Sequence, residues 1–242
     1  MFKNIEIISL EYHKDKALKE FSSFPEAVKN MASSPIGFDE FYEACRDYPI
    51  FFAKDPEKNW FAIALIGFDN KNMQVDDKCI WKAGKYIPAF IRRYPFVLVK
   101  TEDNINSDNA NENQQNLTLA IDADAIENLN DKNSAKAFFD NDNKPTALPQ
   151  EAFNFLINLQ NSAHATQSFI KDLEEWDLLI EQAANIIDKN GNTHNINGFY
   201  TVNEEKLAHL SDKKRAELCK KGAIPLITAH LISLGNIRRM SI

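Results

Sequence analysis

A short pattern, Arg-x-Tyr-Pro followed by an apolar run, occurs twice at an offset of 46: Arg46-Asp47-Tyr48-Pro49-Ile50-Phe51-Phe52 and Arg92-Arg93-Tyr94-Pro95-Phe96-Val97-Leu98. Proline fixes its own φ, has no N–H, and pushes the residue before it out of the αR region, so Tyr48 and Tyr94 each mark a helix end. The apolar residues that follow each stop suit a buried strand. Before the first stop, Phe38, Phe41, Tyr42 and Cys45 recur at helical spacing, and Asp39 stands near the helix start. WFAIALIGFD (60–69) gives the first unit a second strand, reached through a turn at Asp55-Pro56 and Lys58-Asn59. LTLAIDAD (117–124) has the same position and character in the second unit. The pattern predicts two helix-strand-strand units facing each other in one mostly antiparallel sheet. An internal duplication and a helix stop merely used twice both place the same strands.

Other elements follow from periodicity and turn chemistry. IEIISL (5–10) reads as an opening strand and KAFFDNDNKPTAL (136–148) as a hairpin. From Pro149, Phe153, Leu156, Ile157, Gln160, His164, Ile170 and Leu173 recur at helical spacing and define the longest helix. Lys189-Asn190-Gly191, between apolar runs, predicts a hairpin within 185–202. The chain then closes on helices, one with Ser211 as N-cap and Gly222 as its stop. The expected fold class is α+β, a single domain over 1–242 that is sheet-rich in 1–148 and helix-rich in 149–242. The long helix and the helical C-terminal segment should cover the sheet. The polar, Asn-rich tract 101–116 has no apolar period and is expected to be a mobile hairpin tip.

Composition narrows the classes of function. With 44% hydrophobic and 11% aromatic residues the chain can fill a core. Three scattered cysteines, Cys45, Cys79 and Cys219, do not make a disulfide framework or a cysteine zinc site. The net charge of -7 is local, because residues 101–151 hold eleven Asp/Glu against three Lys. Basic stretches at 71–100 and 213–239 carry no nucleic-acid reading motif, so no nucleic-acid partner is expected. No apolar run approaches the roughly 18 residues of a membrane helix. The expectation is a cytoplasmic chain without membrane insertion.

Chemistry is harder to find than structure. His13, His164, His194, His209 and His230 lie far apart in sequence, and none has a second His or Cys at ligand spacing, so no metal site is expected. Neither a nucleophile elbow nor a glycine-rich phosphate loop occurs, and no cofactor is assigned. Asp122 and Asp124 alternate on a strand and could form an acid pair or a cation site, although most such pairs are solvated hairpin ends. His230 lies on an apolar helix face with Ile227, Leu231 and Leu234, where a satisfied core imidazole is the plainer reading. Arg92 and Arg93 are consecutive on a short helix, point about 100° apart, and must play different roles. With Tyr86 and Tyr94 on either side, they suit a structural ion pair or a flat or small anionic ligand. The candidate ligand- or partner-binding residues are therefore Tyr86, Arg92, Arg93, Tyr94 and His230, and no residue is assigned as catalytic.

The segments YEACRDYPIFF, FAIALIGF, YIPAFIRRYPFVLV, GFYTVNEEKLAHL and AHLISLGNIRRM together resemble the SapC family of bacterial proteins. The resemblance runs from about residue 5 to the C-terminus and departs only in the longer, less apolar stretch 101–116. The family is named for a gene associated with the bacterial S-layer, and its members' genes lie beside those of cupin-like and halogenase-like proteins and outer-membrane receptors. The resemblance implies an accessory or binding protein of a surface-layer or secretion/modification system, acting on a protein partner of that system. One alternative is a structural S-layer subunit brought to the cell surface by signal-independent secretion. Another is an enzyme of unrecognised type with a pocket around Arg92, Tyr94 and His230.

Overall fold

The computed structural model describes residues 1–101, 117–187 and 191–241. In chain order its strands are β1 (Ile5–Ile7), β2 (Lys16–Leu18), β3 (Ser33–Ile36), β4 (Ile50–Lys54), β5 (Trp60–Leu65), β6 (Gly67–Phe68), β7 (Lys71–Asn72), β8 (Phe96–Lys100), β9 (Leu117–Asp122), β10 (Ile126–Asn128), β11 (Leu179–Ile187) and β12 (Thr193–Val202). The helices are α1 (Leu10–His13), α2 (Phe41–Asp47), α3 (Ala89–Arg92), α4 (Ala147–Glu175), α5 (Glu204–Ala208), α6 (Asp212–Lys220) and α7 (Ala223–Ser233). Among the described residues every strand pairing is antiparallel, and the class is α+β as the sequence pattern predicts. The chain divides into two compact units. The first combines Met1–Phe24 with Arg93–Asn158, and the second combines Pro25–Arg92 with Leu159–Ile242.

In the first unit the sheet order is β1-β9-β8, with a separate β10-β2 pair. β9 is the central strand, and its Leu119, Ala120 and Ile121 are buried. Its core gathers Phe96, Leu119, Ile121, Phe138, Phe139 and Leu156. The hairpin expected over 136–148 forms, with Phe139 bridging Pro145 and the Asp140 N–H donating to Lys144 O at 2.8 Å. Asp122 and Asp124 do not act as an acid pair. The Asp122 carboxylate is 1% exposed and accepts the N–H groups of Lys3 (2.9 Å), Asn4 (3.4 Å) and Asp124 (3.3 Å), while Asp124 meets the Lys3 ammonium at 3.8 Å. Asp122 thus ties the segment before β1 to the end of β9. Asp122→Ala is expected to cost about 1–2 kcal/mol, the scale of a charged hydrogen-bond acceptor removed from partly buried donors. Amide exchange should quicken at Lys3 and Asn4 while β8 stays protected; unchanged exchange there would show that the carboxylate anchors nothing.

The second unit holds the larger sheet, in the order β11-β12-β4-β5-β3. β4 and β5 form the hairpin expected after the first Tyr-Pro stop, with Ile50 opposite Ala64 and Phe52 opposite Ala62. Trp60, Ala62 and Ala64 alternate to the buried face, the period of two that one covered sheet face requires. β12 joins β4 with Tyr200 opposite Phe52, and β11 pairs along β12 through a bulge between Gln182 and Ala184. These are the strands the Lys-Asn-Gly signal predicts, although residues 188–190 lie outside the described residues. α4 serves both units: Leu156 belongs to the first core, and Phe169, Ile170 and Leu173 are buried in the second.

The expected single sheet is not found. β4 and β8, the strands that follow the two Tyr-Pro stops, lie in separate sheets and in separate units. The stop itself works in both copies, since α2 ends at Asp47 with Tyr48 extended (φ -130°, ψ 144°), and α3 ends at Arg92 shortly before β8. A helix stop is local chemistry and carries no information about which ladder the next strand joins. The copies also differ at the proline, as only the Tyr94–Pro95 bond is cis. The hairpin tip expected over 101–116 falls almost wholly outside the described residues.

Candidate functional site

Site geometry begins with the turn Gly37–Glu40 and the first Tyr-Pro stop. Glu40, 5% exposed, points inward: its Oε2 accepts the Gly37 N–H at 2.8 Å, and its Oε1 accepts the Ala89 N–H at 2.7 Å and the Tyr86 hydroxyl at 2.8 Å. Tyr86 is gripped at its backbone as well. Its N–H donates to Asp47 Oδ2 at 2.8 Å, and its carbonyl accepts the Tyr48 hydroxyl at 2.5 Å. Residues of the first Arg-x-Tyr-Pro copy therefore hold the segment that leads into the second. Arg92 completes the group, donating from Nε to Ile87 O at 2.9 Å and from Nη2 to the Tyr86 hydroxyl oxygen at 3.3 Å. Burial, then the Glu40 carboxylate, push the Tyr86 phenol well above its ordinary pKa, so it stays a donor to Glu40.

On its other side the same turn is fastened to α4. Thr166 Oγ1 accepts the Phe38 N–H at 2.7 Å and donates to the Ser162 carbonyl at 2.7 Å, while the Ser162 hydroxyl donates to Asp39 Oδ1. A Cβ on Gly37 would run into the Ser162 hydroxyl and the Asp39 carboxylate, so any side chain there would have to displace that pair. The turn forms one wall of a cleft of about 640 Å³, lined by Phe38, Asp39, Tyr42, Phe169, Asp172 and Lys221, with Leu226 of α7 also contributing. Phe169 is tied to the core through edge contacts with Phe41 (6.3 Å) and Phe52 (6.2 Å). Across the cleft Lys221 pairs with Asp172 at 2.8 Å.

Of the five residues singled out from sequence, Tyr86 and Arg92 meet in the second unit, in the group that supports the cleft wall. Arg93 and Tyr94 belong to the first unit. The Arg93 guanidinium lies 5.4 Å over the Phe2 ring, and burial lowers its pKa. Tyr94 sits between Phe2 (5.7 Å) and Phe21 (5.6 Å), and burial raises its phenol pKa, with Asp122 and Asp124 adding to the shift. The two arginines thus make different contacts, Arg92 with Ile87 and Tyr86 and Arg93 with Phe2. His230 is fully buried: Nδ1 donates to Ile50 O at 3.0 Å, Nε2 accepts the Val202 N–H at 3.1 Å, and the ring stacks on Phe52 at 4.6 Å. Both ring nitrogens are taken by backbone groups, so the histidine has nothing left to offer a ligand. A pocket built with His230 is therefore set aside in favour of the satisfied core imidazole.

A family model, SapC, matches residues 8–240. The chain belongs to the SapC family. No curated protein and no solved structure gives a significant match. In this SapC-family chain, sequence reading missed Glu40, Ser162, Thr166, Asp172 and Lys221 as parts of one site. Gly37 directly before Phe38-Asp39-Glu40 was a usable sign of a tight polar turn, and Ser162 and Thr166 share a helix face at i, i+4. Tyr42, placed by periodicity on the apolar face of α2, is instead 54% exposed at the cleft. Among the described residues no group of three His, Cys, Asp or Glu is placed to hold a metal ion, and no helix is long and apolar enough to cross a membrane.

Proposed function

We propose that this SapC-family chain is a binding protein, an accessory component of a bacterial surface-layer or secretion/modification system that works in the cytoplasm and holds its partner or ligand at the cleft of the second unit. The tie to a surface layer rests on the family resemblance. The reading as a binding protein rests on one observation: the wall Gly37–Glu40 is pinned from within by Glu40 and from α4 by Ser162 and Thr166. A wall held this way pays little ordering entropy when something docks, which is what a binding surface gains from preorganisation. Tyr86 and Arg92 act here as positioning residues behind the wall. The test is recovery of the tagged chain from its native cells with mass spectrometry of what accompanies it. A surface-layer or secretion component is expected with the wild type and lost with Tyr42→Arg and with Leu226→Asp, two exposed or half-buried positions whose change leaves the core intact. Recovery of the same component with both variants would remove the cleft as the contact. Finding the chain in ordered arrays in the surface fraction would favour a structural subunit instead.

A further inference from the structure

Charge around the cleft does not cancel. Lys221 is neutralised by Asp172 at 2.8 Å, whereas Asp39, exposed at the rim, meets the Ser162 hydroxyl and no Lys or Arg among the described residues. Beside Asp39 stands Tyr42, with 54% of its surface open to solvent, and Phe38 and Phe169 extend the aromatic wall. A volume of about 640 Å³ lies inside the range of small-molecule sites rather than of extended protein grooves. Ring faces carry negative quadrupole potential and attract a cation placed over them, most effectively where a carboxylate adds its own charge. An anion entering the same space would approach Asp39 and would reach Lys221 only by competing with Asp172.

Resting on the cleft as the binding surface, we propose that its ligand is a small organic cation: an ammonium group held by Asp39 and the Tyr42 ring, with an aromatic or aliphatic body lying on Phe169 and Leu226. Asp39 sets the charge preference, and the apolar floor sets the need for a hydrophobic body. The Ser162 bond fixes the carboxylate in place without neutralising it. Lys221, engaged by Asp172, closes the far side as a paired and therefore nearly neutral boundary.

The test uses the full chain and three probes of similar size and different charge: phenethylammonium, 2-phenylethanol and 3-phenylpropionate, titrated by calorimetry at low salt, where exposed charges are least screened. Phenethylammonium is expected to bind about fivefold or more tightly than 2-phenylethanol, with 3-phenylpropionate weakest, the scale of one exposed ion pair plus a cation–π contact. Asp39→Asn keeps an oxygen for the Ser162 hydroxyl, so the fold should hold while the advantage of the ammonium disappears. Tyr42→Leu should weaken the ammonium more than the alcohol. Equal or tighter binding of 3-phenylpropionate, or an ammonium affinity unchanged in Asp39→Asn, overturns the cation. If the alcohol or the carboxylate binds as tightly as the ammonium and Tyr42→Leu abolishes it, the cleft stands and only the cation falls; if none of the three binds, the small cation falls, and the cleft as a protein contact stands or falls with the capture of a component by the wild type and its loss with Tyr42→Arg.

Discussion

His230→Ala is expected to destabilise the second unit by about 3–5 kcal/mol, a large part of the total stability of an ordinary domain. The substitution strands two buried backbone groups, the Val202 N–H and the Ile50 carbonyl, which now share one imidazole at 3.1 and 3.0 Å. It also empties the space against Phe52 that the ring fills at 4.6 Å. Each stranded group costs about 1–3 kcal/mol, and the cavity adds to that. Those contacts also make the folded chain sensitive to acid. Burial, opposed only in part by the bond to Ile50, lowers the imidazole pKa from 6.5 to about 4. Between those two values the unfolded chain carries a proton at this position that the folded chain does not, so unfolding takes up a proton and stability rises with pH. The contribution is complete above about pH 6.5 and is lost as the pH falls toward 4, by up to about 3 kcal/mol. Urea titrations of the wild type and of His230→Gln at pH 7.5 and pH 4.5 read both effects. The variant should be less stable at the higher pH and should lose less on acidification; equal losses in the two chains would mean that His230 is not the group being protonated.

The local elements were legible because their causes are local. Proline stops, periodic apolar residues and Gly222 with φ 66° ending α6 act over a few residues, and α2, β4, β5, α4 and the β11–β12 hairpin all arise where those signals place them. Partner choice was not legible. The similarity of residues 46–52 to 92–98 is real in sequence, yet Asp47 and Tyr48 hold the backbone of Tyr86, while Tyr94 packs between Phe2 and Phe21. What separates the copies is the company each keeps, which depends on residues far away in the chain. The cleft was missed for a related reason. Hydrophobic periodicity selected His164 and Gln160 on α4, but His164 is exposed, and the buried positions are Ser162 (5%) and Thr166 (1%), small polar residues whose hydroxyls fasten the Gly37–Glu40 turn. Polar residues buried to make specific bonds look like surface in any hydrophobicity pattern.

Glu40→Gln is expected to lower stability by about 2–4 kcal/mol although it changes a single atom of the side chain. Three donors converge on this carboxylate: Oε2 takes the Gly37 N–H, and Oε1 takes both the Ala89 N–H and the Tyr86 hydroxyl. A carboxamide has one oxygen. If that oxygen faces Ala89 and Tyr86, the NH2 group is aimed at the Gly37 N–H; if it faces Gly37, the NH2 group confronts the other two. Rotation of the Tyr86 hydroxyl can relieve one of these clashes, but a backbone N–H cannot turn away. The whole turn should loosen, and the Phe38 amide, held by Thr166 Oγ1 at 2.7 Å, reports this directly because its exchange with solvent should accelerate. Tyr86→Phe provides the comparison. It removes one donor and leaves both backbone bonds to Glu40, so the loss should be nearer 1 kcal/mol and Phe38 exchange should change little. A melting temperature lower by roughly 5–10 °C for Glu40→Gln, against a few degrees for Tyr86→Phe, is the expected pattern for a chain of this size. Equal stability of Glu40→Gln and the wild type would mean that the turn is held from α4 alone, through Ser162 and Thr166, and that Tyr86 and Arg92 lie behind a wall they do not position.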